Sequence, residues 1–382
     1  MLTRPMMLMM AVSLSGLLGF YLLFSTVPLY AASGGGGESG AGLSTGAMML
    51  STVLMELAVP WLLARLGYRA VMALGLVLLG LPALALPLSP ALPLVAAVSL
   101  LRGGGLGVIV VTGTALTAEL VPAERRGEGL GLYGIAVGIP SILGLPLGLW
   151  SAGTFGFTPV FLVAGLVPLV GLAAALGLPS TRPARSRGEG GAGLRGLTAP
   201  TLVFASVTVA VGVLVTFLPL AGSPELASVA LLMQSLGTPA ARWWAGRFGD
   251  RHGSARLLAP GVLAAAAGMA LQVWLDGPVP VVAGMALFGA GFGVLQNATL
   301  AVMFERGSVS RVSAVWNLAF DAGMGVGATG FGLLAGHTGY PLGFALVAAL
   351  VAATLPLTRQ AALPPEPAPA GDAPLGKVGK AG

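Results

Sequence analysis

Three charged side chains, Glu56, Arg102 and Asp321, interrupt long apolar segments of this 382-residue chain. A charge at the centre of a bilayer costs about 2.5–3.5 kcal/mol or more, so such side chains are expected to face a cavity or one another. Burial and the nearness of a like charge both favour the protonated carboxyl, which gives Glu56 and Asp321 the chemistry of a reversible proton site. Arg102 offers a guanidinium to a carboxylate or to an anionic or polar ligand group. The alternative is structural: carboxyls paired with Arg or backbone groups, and an Arg102 held permanently by carbonyl oxygens.

Neutral polar side chains accompany these charges. Those expected near a binding site are Asn317, Gln234 and Asn297, with Gln296, Tyr21 and Tyr133 as further wall residues. Polar groups of this kind also bridge helices by hydrogen bonds, so a packing role is the alternative for each. The two His residues fall in gaps on opposite sides of the apolar segments, so we expect no metal site and no cofactor.

The composition places most of the surface of the chain in lipid. Hydrophobic residues make up 56% of the sequence, charged residues 8%, and the mean hydropathy is +0.92. A soluble domain carries about 25% charged residues, so this chain has too few to cover itself with a solvated surface. The net charge of +6 comes from basic residues scattered through short gaps, which argues against nucleic-acid binding. The absence of Cys excludes disulfides and Cys-ligated metals.

Twelve apolar segments are long enough to cross a membrane as helices, which need about 20 apolar residues each. The predicted spans are 6–30, 41–63, 70–89, 91–117, 129–151, 157–178, 200–221, 225–245, 257–275, 278–303, 312–335 and 340–357. In lipid every backbone polar group must be satisfied internally, and segments without two-residue alternation satisfy this as helices. The predicted fold class is an all-α integral membrane protein.

Basic residues alternate between the gaps. Of the 19 Lys and Arg residues, all but Arg102 lie in the termini or in every second gap, whereas the remaining gaps hold Glu38, Glu225, Asp276 and His337. Short loops rich in Lys and Arg stay on the cytoplasmic side. The pattern predicts a multi-pass protein of the cytoplasmic (cell inner) membrane with both termini in the cytoplasm. Glu56 and Asp321 would then lie roughly 12–14 Å from the cytoplasmic ends of their spans.

The two halves of the chain repeat each other in the same orientation. The matching landmarks are Arg65-Leu-Gly67 with Arg251-His-Gly253, 186 positions apart, and Gly156-Phe157 with Gly339-Tyr340, 183 positions apart. Such a repeat predicts two six-helix bundles related by an axis along the membrane normal. The expected domains are an N-terminal bundle (1–178), a cytoplasmic linker (179–199), a C-terminal bundle (200–357) and a disordered cytoplasmic tail (358–382).

Two loops on the cytoplasmic side resemble the signature of the major facilitator superfamily (MFS), roughly Gly-x-x-x-Asp-Arg-x-Gly-x-Arg/Lys. The matching residues are Arg65, Gly67 and Arg69 in the first half, and Gly246, Asp250, Arg251 and Gly253 in the second. The resemblance covers nearly the whole chain and is greatest to bacterial drug and sugar efflux permeases. It implies the MFS fold, with these residues in cytoplasmic gating loops. Ala64 stands where the family has the Asp that helps latch the cytoplasmic face. We therefore expect Asp250 to carry more of the latch than usual.

Together these features predict a secondary transporter that works by alternating access, with its substrate site between the bundles near the bilayer midplane. Few hydrogen-bonding groups accompany many Leu, Val, Met and Phe, which favours proton-coupled efflux of a small amphipathic compound by a monomeric antiporter. The alternatives are proton-coupled uptake of a small metabolite and, in a different class, a non-transporting membrane sensor. An intramembrane enzyme would need a nucleophile and a base at one depth, and the sequence offers no such pair.

The charge pattern makes a topology prediction. Because the natural chain has no Cys, Arg185→Cys and Glu38→Cys variants can be labelled without background. A membrane-impermeant maleimide added to intact cells should label position 38 alone, and both positions once the membrane is permeabilised. Labelling of position 185 in intact cells would overturn the predicted orientation.

Overall fold

The structure, a computed structural model, describes residues 3–121, 126–182 and 194–363, and it contains helices and no strands over those ranges. The α-helices are α1 (Arg4–Phe24), α2 (Thr26–Ala31), α3 (Gly37–Gly80), α4 (Leu92–Leu120), α5 (Arg126–Phe155), α6 (Phe157–Leu176), α7 (Thr198–Ala221), α8 (Pro224–His252), α9 (Leu258–Ala270), α10 (Pro278–Phe304), α11 (Val309–Ala352) and α12 (Leu355–Ala362). A π-helical turn, Ala32–Gly36, follows α2, and short 3₁₀ segments, Pro82–Leu88 and Leu271–Val273, extend α3 and α9.

The longest helices, α3 and α11, each contain a chain reversal. Either helix, with its 44 residues, would be about 66 Å long if straight, twice the thickness of a bilayer core. They reverse at Gly67 (φ 76°) and Gly339 (φ 71°), in a backbone region that side chains with a Cβ avoid. Gly253 (φ 89°) and Gly156 (φ 82°) turn the chain at the equivalent points of the other half. The glycines repeated in the sequence are therefore the points where the chain turns back.

Twelve helical crossings result over the described residues. Eight continuous helical stretches are long and apolar enough to span a membrane. Arg4–Leu88 folds back near Gly35 and at Gly67 and so makes three crossings, and Arg311–Ala362 folds back at Gly339 and makes two. The more polar α8, with 29 residues, is also long enough and completes the set. The predicted fold class, twelve transmembrane helices in two six-helix pseudo-repeats, is confirmed. Below, the first arms of α3 and α11 are residues 37–66 and 309–338.

The end of the second bundle differs from the predicted disordered tail. The described residues after 357 continue α12, with Thr358 and Ala361 buried, so the tail cannot begin at 358. The Arg306 guanidinium donates hydrogen bonds to the carbonyls of Ala361 and Leu363, which ties this helix to the α10–α11 loop. The segment after residue 357 is rich in Pro and Ala, so its composition did not indicate the two buried positions. Residues 364–382, and 183–193 of the predicted linker, lie outside the described part of the chain.

Glycines let the helices of each bundle approach closely. A Cβ at Gly103 of α4 would overlap the carbonyl oxygen of Met48 in the first arm of α3, and one at Gly293 of α10 would overlap that of Thr238 in α8. Without a hydrophobic driving force between helices in lipid, such close contacts supply much of their association.

We therefore expect Gly103→Ala to destabilise the N-terminal bundle. Overpacking typically costs about 1–3 kcal/mol, which should lower the midpoint of thermal unfolding in detergent. Gly330→Ala is the matched control, because a Cβ there meets nothing within 4 Å and the gain in helix propensity is the same. Equal midpoints for the two variants would show that the α3–α4 contact is not tight.

Candidate functional site

The turns define two faces of the molecule. The linker side carries Gly67, Gly253 and residues 178–182, and the far side carries Gly35, Gly156 and Gly339. Depths below are counted from the linker side.

Glu56 and Asp321 contact each other across the two bundles. Glu56 lies in the first arm of α3 and Asp321 in the first arm of α11, with their carboxyl groups within hydrogen-bonding distance. Counted from Gly67 and from the start of α11, both lie about 16–18 Å deep. Two carboxyl groups share a hydrogen bond only when one of them is protonated, because a carboxylate has no donor. The arrangement is therefore chemically able to hold one proton between the two bundles.

The surroundings of this acid pair contain no fixed counter-ion. No Lys or Arg of the described residues forms an ion pair with either carboxyl group. Tyr21 of α1 lies close enough to Asp321 for an electrostatic interaction, and Asn317 lies one turn before Asp321 on α11. Gly107 of α4 leaves room for Glu56, since a Cβ there would lie 3.3 Å from its Cγ. Among the described residues, the negative charge of the pair can therefore be neutralised by a proton and not by a basic side chain.

Arg102 is held by backbone carbonyls, which is the structural alternative. Its side chain is 1% exposed; Nε donates to the Leu79 carbonyl at 3.2 Å, and a terminal nitrogen donates to the Gly19 carbonyl at 3.0 Å. The guanidinium thus joins α4 to α3 and α1 within the N-terminal bundle. The structure does not bring Arg102 together with the acid pair.

The amides of the second bundle lie between α8 and α10. Gln234 is buried against Gly289 of α10, and its side-chain oxygen has no hydrogen-bond partner. The side-chain nitrogen of Asn297 lies 3.3 Å from where a Cβ of Gly246 would stand. A buried acceptor left unpaired costs about 1–3 kcal/mol, so the Gln234 oxygen is available to a water or a ligand.

The other predicted wall residues pack between helices. Tyr133 of α5 accepts a hydrogen bond from Ser13 of α1 at 3.5 Å, and Gln296 of α10 is buried. Neither is placed beside the acid pair by a contact among the described residues.

The predicted gating residues lie on the linker side in two unlike loops. In the first, Arg65 stacks over Trp61 at 4.3 Å, and Arg69 donates to the Leu178 carbonyl at 2.7 Å. In the second, Asp250 and Arg251 are exposed at the end of α8. Gly67 and Gly253 form the turns, whereas Gly246 lies within α8.

Sequence reasoning missed the contact that organises the first of these loops. The Tyr68 hydroxyl donates to Glu119 of α4 at 2.7 Å, and the Tyr68 N–H donates to the Thr181 carbonyl at 3.0 Å. The loop that lacks the family's Asp at position 64 is therefore anchored through a tyrosine. No motif identified this pair, because its two members lie 51 positions apart.

On the far side the bundles are closed against each other. The hydroxyls of Thr45 and Thr216 hydrogen-bond at 3.0 Å, and Tyr340 donates to Glu38 at 3.3 Å. The first arms of α3 and α11 also meet at small residues, among them Gly42, Gly46, Gly325, Ala328 and Gly332.

Helices α5 and α8 meet at the far side as well. A Cβ at Gly153 of α5 would lie 3.5 Å from the Glu225 carboxylate at the start of α8. Toward the linker side, a Cβ at Gly134 or Gly138 of α5 would meet nothing within 4 Å. Among the described residues, α5 and α8 thus contact each other at the far side, and nothing packs on α5 at these two glycines nearer the linker side.

Comparisons with known proteins agree with this geometry. The family model of the Major Facilitator Superfamily matches residues 8–305. An uncharacterised MFS-type transporter of Mycobacterium tuberculosis, found in two strains, is 27% identical over 294 residues, which cover 72% of this chain. This chain covers only 36% of that relative's length.

Solved structures share the fold. A D-xylose–proton symporter aligns with a TM-score of 0.72 at 16% identity, covering 92% of this chain and 98% of its own. A bacterial homologue of the lysosomal transporter Spinster aligns at 0.74 with 13% identity, covering 93% and 96%. A POT family transporter in complex with 5-aminolevulinic acid aligns at 0.73 with 13% identity, covering 94% and 95%.

The unlike loops generate a prediction about gating. Asp250→Asn should reduce flux through the reconstituted protein about 5- to 30-fold, the effect of losing 1–2 kcal/mol from a latch, while expression and monodispersity stay unchanged. Glu305→Gln is the matched control, an exposed carboxylate on the same face. Undiminished flux in Asp250→Asn, or an equal loss in Glu305→Gln, would remove Asp250 from the latch.

Proposed function

We propose a proton-coupled transport cycle for this chain, which belongs to the Major Facilitator Superfamily. It is a multi-pass membrane protein with the fold of a secondary transporter, and it is not an enzyme. The proposed activity is the efflux of a small amphipathic compound across the cytoplasmic membrane in exchange for protons, by alternating access. In this proposal the linker side and both termini face the cytoplasm, because the basic gaps lie on that side.

The contact between Glu56 and Asp321 carries the proposal. The pair holds a proton only while the two bundles bring the carboxyls together, so proton binding is linked to the relative position of the bundles. Losing that proton places two negative charges in contact in a medium of low dielectric constant, and their repulsion drives the first arms of α3 and α11 apart. Uptake of a proton from the opposite side restores the contact.

Substrate binding supplies the other half of the exchange. With the far side closed and open space beside α5, a compound reaches the central site from the linker side. The neutral polar groups proposed to meet it are few, namely Asn317, Gln234 and Asn297, and the helices that carry them are mostly apolar. Such a site suits an amphipathic compound better than a polyhydroxylated one, whose hydroxyls would each need a partner. Arg102, held by carbonyls, keeps a structural role.

The two remaining functions differ from this one in a testable way. Proton-coupled uptake uses the same pair with the opposite direction of net flux. A non-transporting sensor has no need of a shared proton between mobile bundles, so the acid pair argues for a coupled transporter.

The acid pair makes the central prediction. The assay measures the flux of labelled amphipathic amines, alcohols and carboxylates that a pH gradient drives into or out of proteoliposomes. In Glu56→Gln, Asp321→Asn and the double variant, this gradient-driven flux should fall about tenfold or more. Substrate exchange without a gradient should persist, because the apolar wall is intact. Asp276→Asn is the control, since that residue lies in a far-side loop outside the spans.

Proton movement is measured in parallel with a trapped pH-sensitive dye. Coupling assigned to this pair is refuted if all three variants move protons as the parent does. Flux that is never gradient-dependent in the parent identifies a facilitator, and no flux of any compound under either condition favours the sensor.

A further inference from the structure

Arg242 lies deeper in the membrane than its sequence position indicates. Arg242 falls near the end of the predicted span 225–245 and is counted with the basic residues of the following cytoplasmic gap, but α8 continues to His252. Ten residues of helix place Arg242 about 15 Å from the linker-side end of α8, close to the depth of Glu56 and Asp321. The structure therefore adds to the membrane interior a charge that the alternation of basic residues counts with the cytoplasmic gap.

The protein-facing side of α8 carries this residue. Arg242 follows Pro224 by eighteen residues, five full turns, and Pro224 lies at the α8 end that meets Gly153 of α5. The backbone nitrogen of Arg242 packs on α10, where a Cβ at Gly293 would come within 3.0 Å of it. The lipid-facing positions of α8 form a different stripe: Val229, Leu236 and Trp243.

The exposure of Arg242 on this protein-facing side of α8 indicates an opening between α5 and α8. Ser235 and Ser228 lie on the same side of α8 as Arg242, about two and four turns nearer the far side. Both serines are buried, whereas Arg242 is exposed. Across from it, α5 offers open space at Gly138. Arg242 makes no hydrogen bond or ion pair within the described residues. An unpaired charge at this depth is tolerated where water reaches it, and the exposure of Arg242 together with the open space on α5 indicates such access from the linker side.

We propose that Arg242 recognises an anionic group of the substrate, which makes the transported compound an amphipathic anion such as an aryl carboxylate or sulfonate. The inference rests on the proposed function and names its substrate class. A guanidinium presents paired N–H donors that match a carboxylate in a bidentate fork, and it stays charged at every physiological pH. The division of labour follows from the charges: Arg242 takes the anion, and the Glu56–Asp321 pair, which repels it, takes the proton.

The test is binding to the purified full chain in lipid nanodiscs, measured by titration calorimetry. The probes are 2-naphthoate, the neutral 2-naphthalenemethanol and the cationic 2-naphthylmethylammonium, which share one apolar ring. The parent should bind 2-naphthoate about 10- to 100-fold more tightly than the alcohol, as expected for a charge-assisted hydrogen bond. Arg242→Gln should abolish that preference without weakening alcohol binding, and Arg242→Lys should restore part of it.

Arg247→Gln is the matched control. Arg247 lies on the lipid-facing stripe of the same helix, stacked over Trp243 at 4.1 Å. Its substitution by Gln should leave the preference for 2-naphthoate unchanged. The proposal is overturned if the parent does not bind 2-naphthoate more tightly than the alcohol, or if Arg247→Gln loses the preference as fully as Arg242→Gln. The two proposals can fail separately. If only Arg242→Gln loses the preference while the acid-pair variants still couple protons normally, the proposed coupling is refuted and the assignment of Arg242 stands.

Discussion

A charged group inside a bilayer must be neutralised, hydrogen-bonded or hydrated, and this chain uses a different solution at each of its intramembrane charges. The carboxyl groups of Glu56 and Asp321 contact each other across the two bundles, where one proton can neutralise one of them. Arg102 donates to carbonyls of two neighbouring helices. Arg242 remains exposed in a space between α5 and α8. Each solution limits what its residue can do: Arg102, for example, is buried inside one bundle and is not presented to a substrate.

The same constraint explains why the acid pair is suited to coupling. A carboxyl pair within one bundle would keep its proton whatever the bundles did. Here the two carboxyls sit on α3 and α11, the helices that also close the far side through small residues and through Thr45 and Thr216. In the proposed cycle, a change in protonation would therefore act on the interface between the bundles and not on the interior of either bundle.

The pseudo-symmetry is preserved in the turns and lost in the contacts. Gly67 and Gly253 adopt the same left-handed geometry. The residues around them differ, since Tyr68 and Glu119 anchor the first loop, whereas Asp250 is exposed in the second. Backbone geometry needs only a glycine at the right position, so it survives sequence divergence. A side-chain contact needs two matched residues on different helices and is replaced more easily.

The sequence by itself determined the helical class, the twelve crossings, the turning points and the presence of two carboxyl groups, Glu56 and Asp321, inside the spans. These features depend on local properties, namely apolar length, glycine conformation and the cost of a charge in lipid, which can be read along one segment at a time. It also placed Glu56 and Asp321 at a common depth, because helix rise is constant. Only the tertiary structure decided that Arg102 donates to the carbonyls of Leu79 and Gly19, that α12 is packed, and that Arg242 is exposed. Those outcomes depend on which face of each helix meets which neighbour, and the position of a side chain along its own helix does not contain that information.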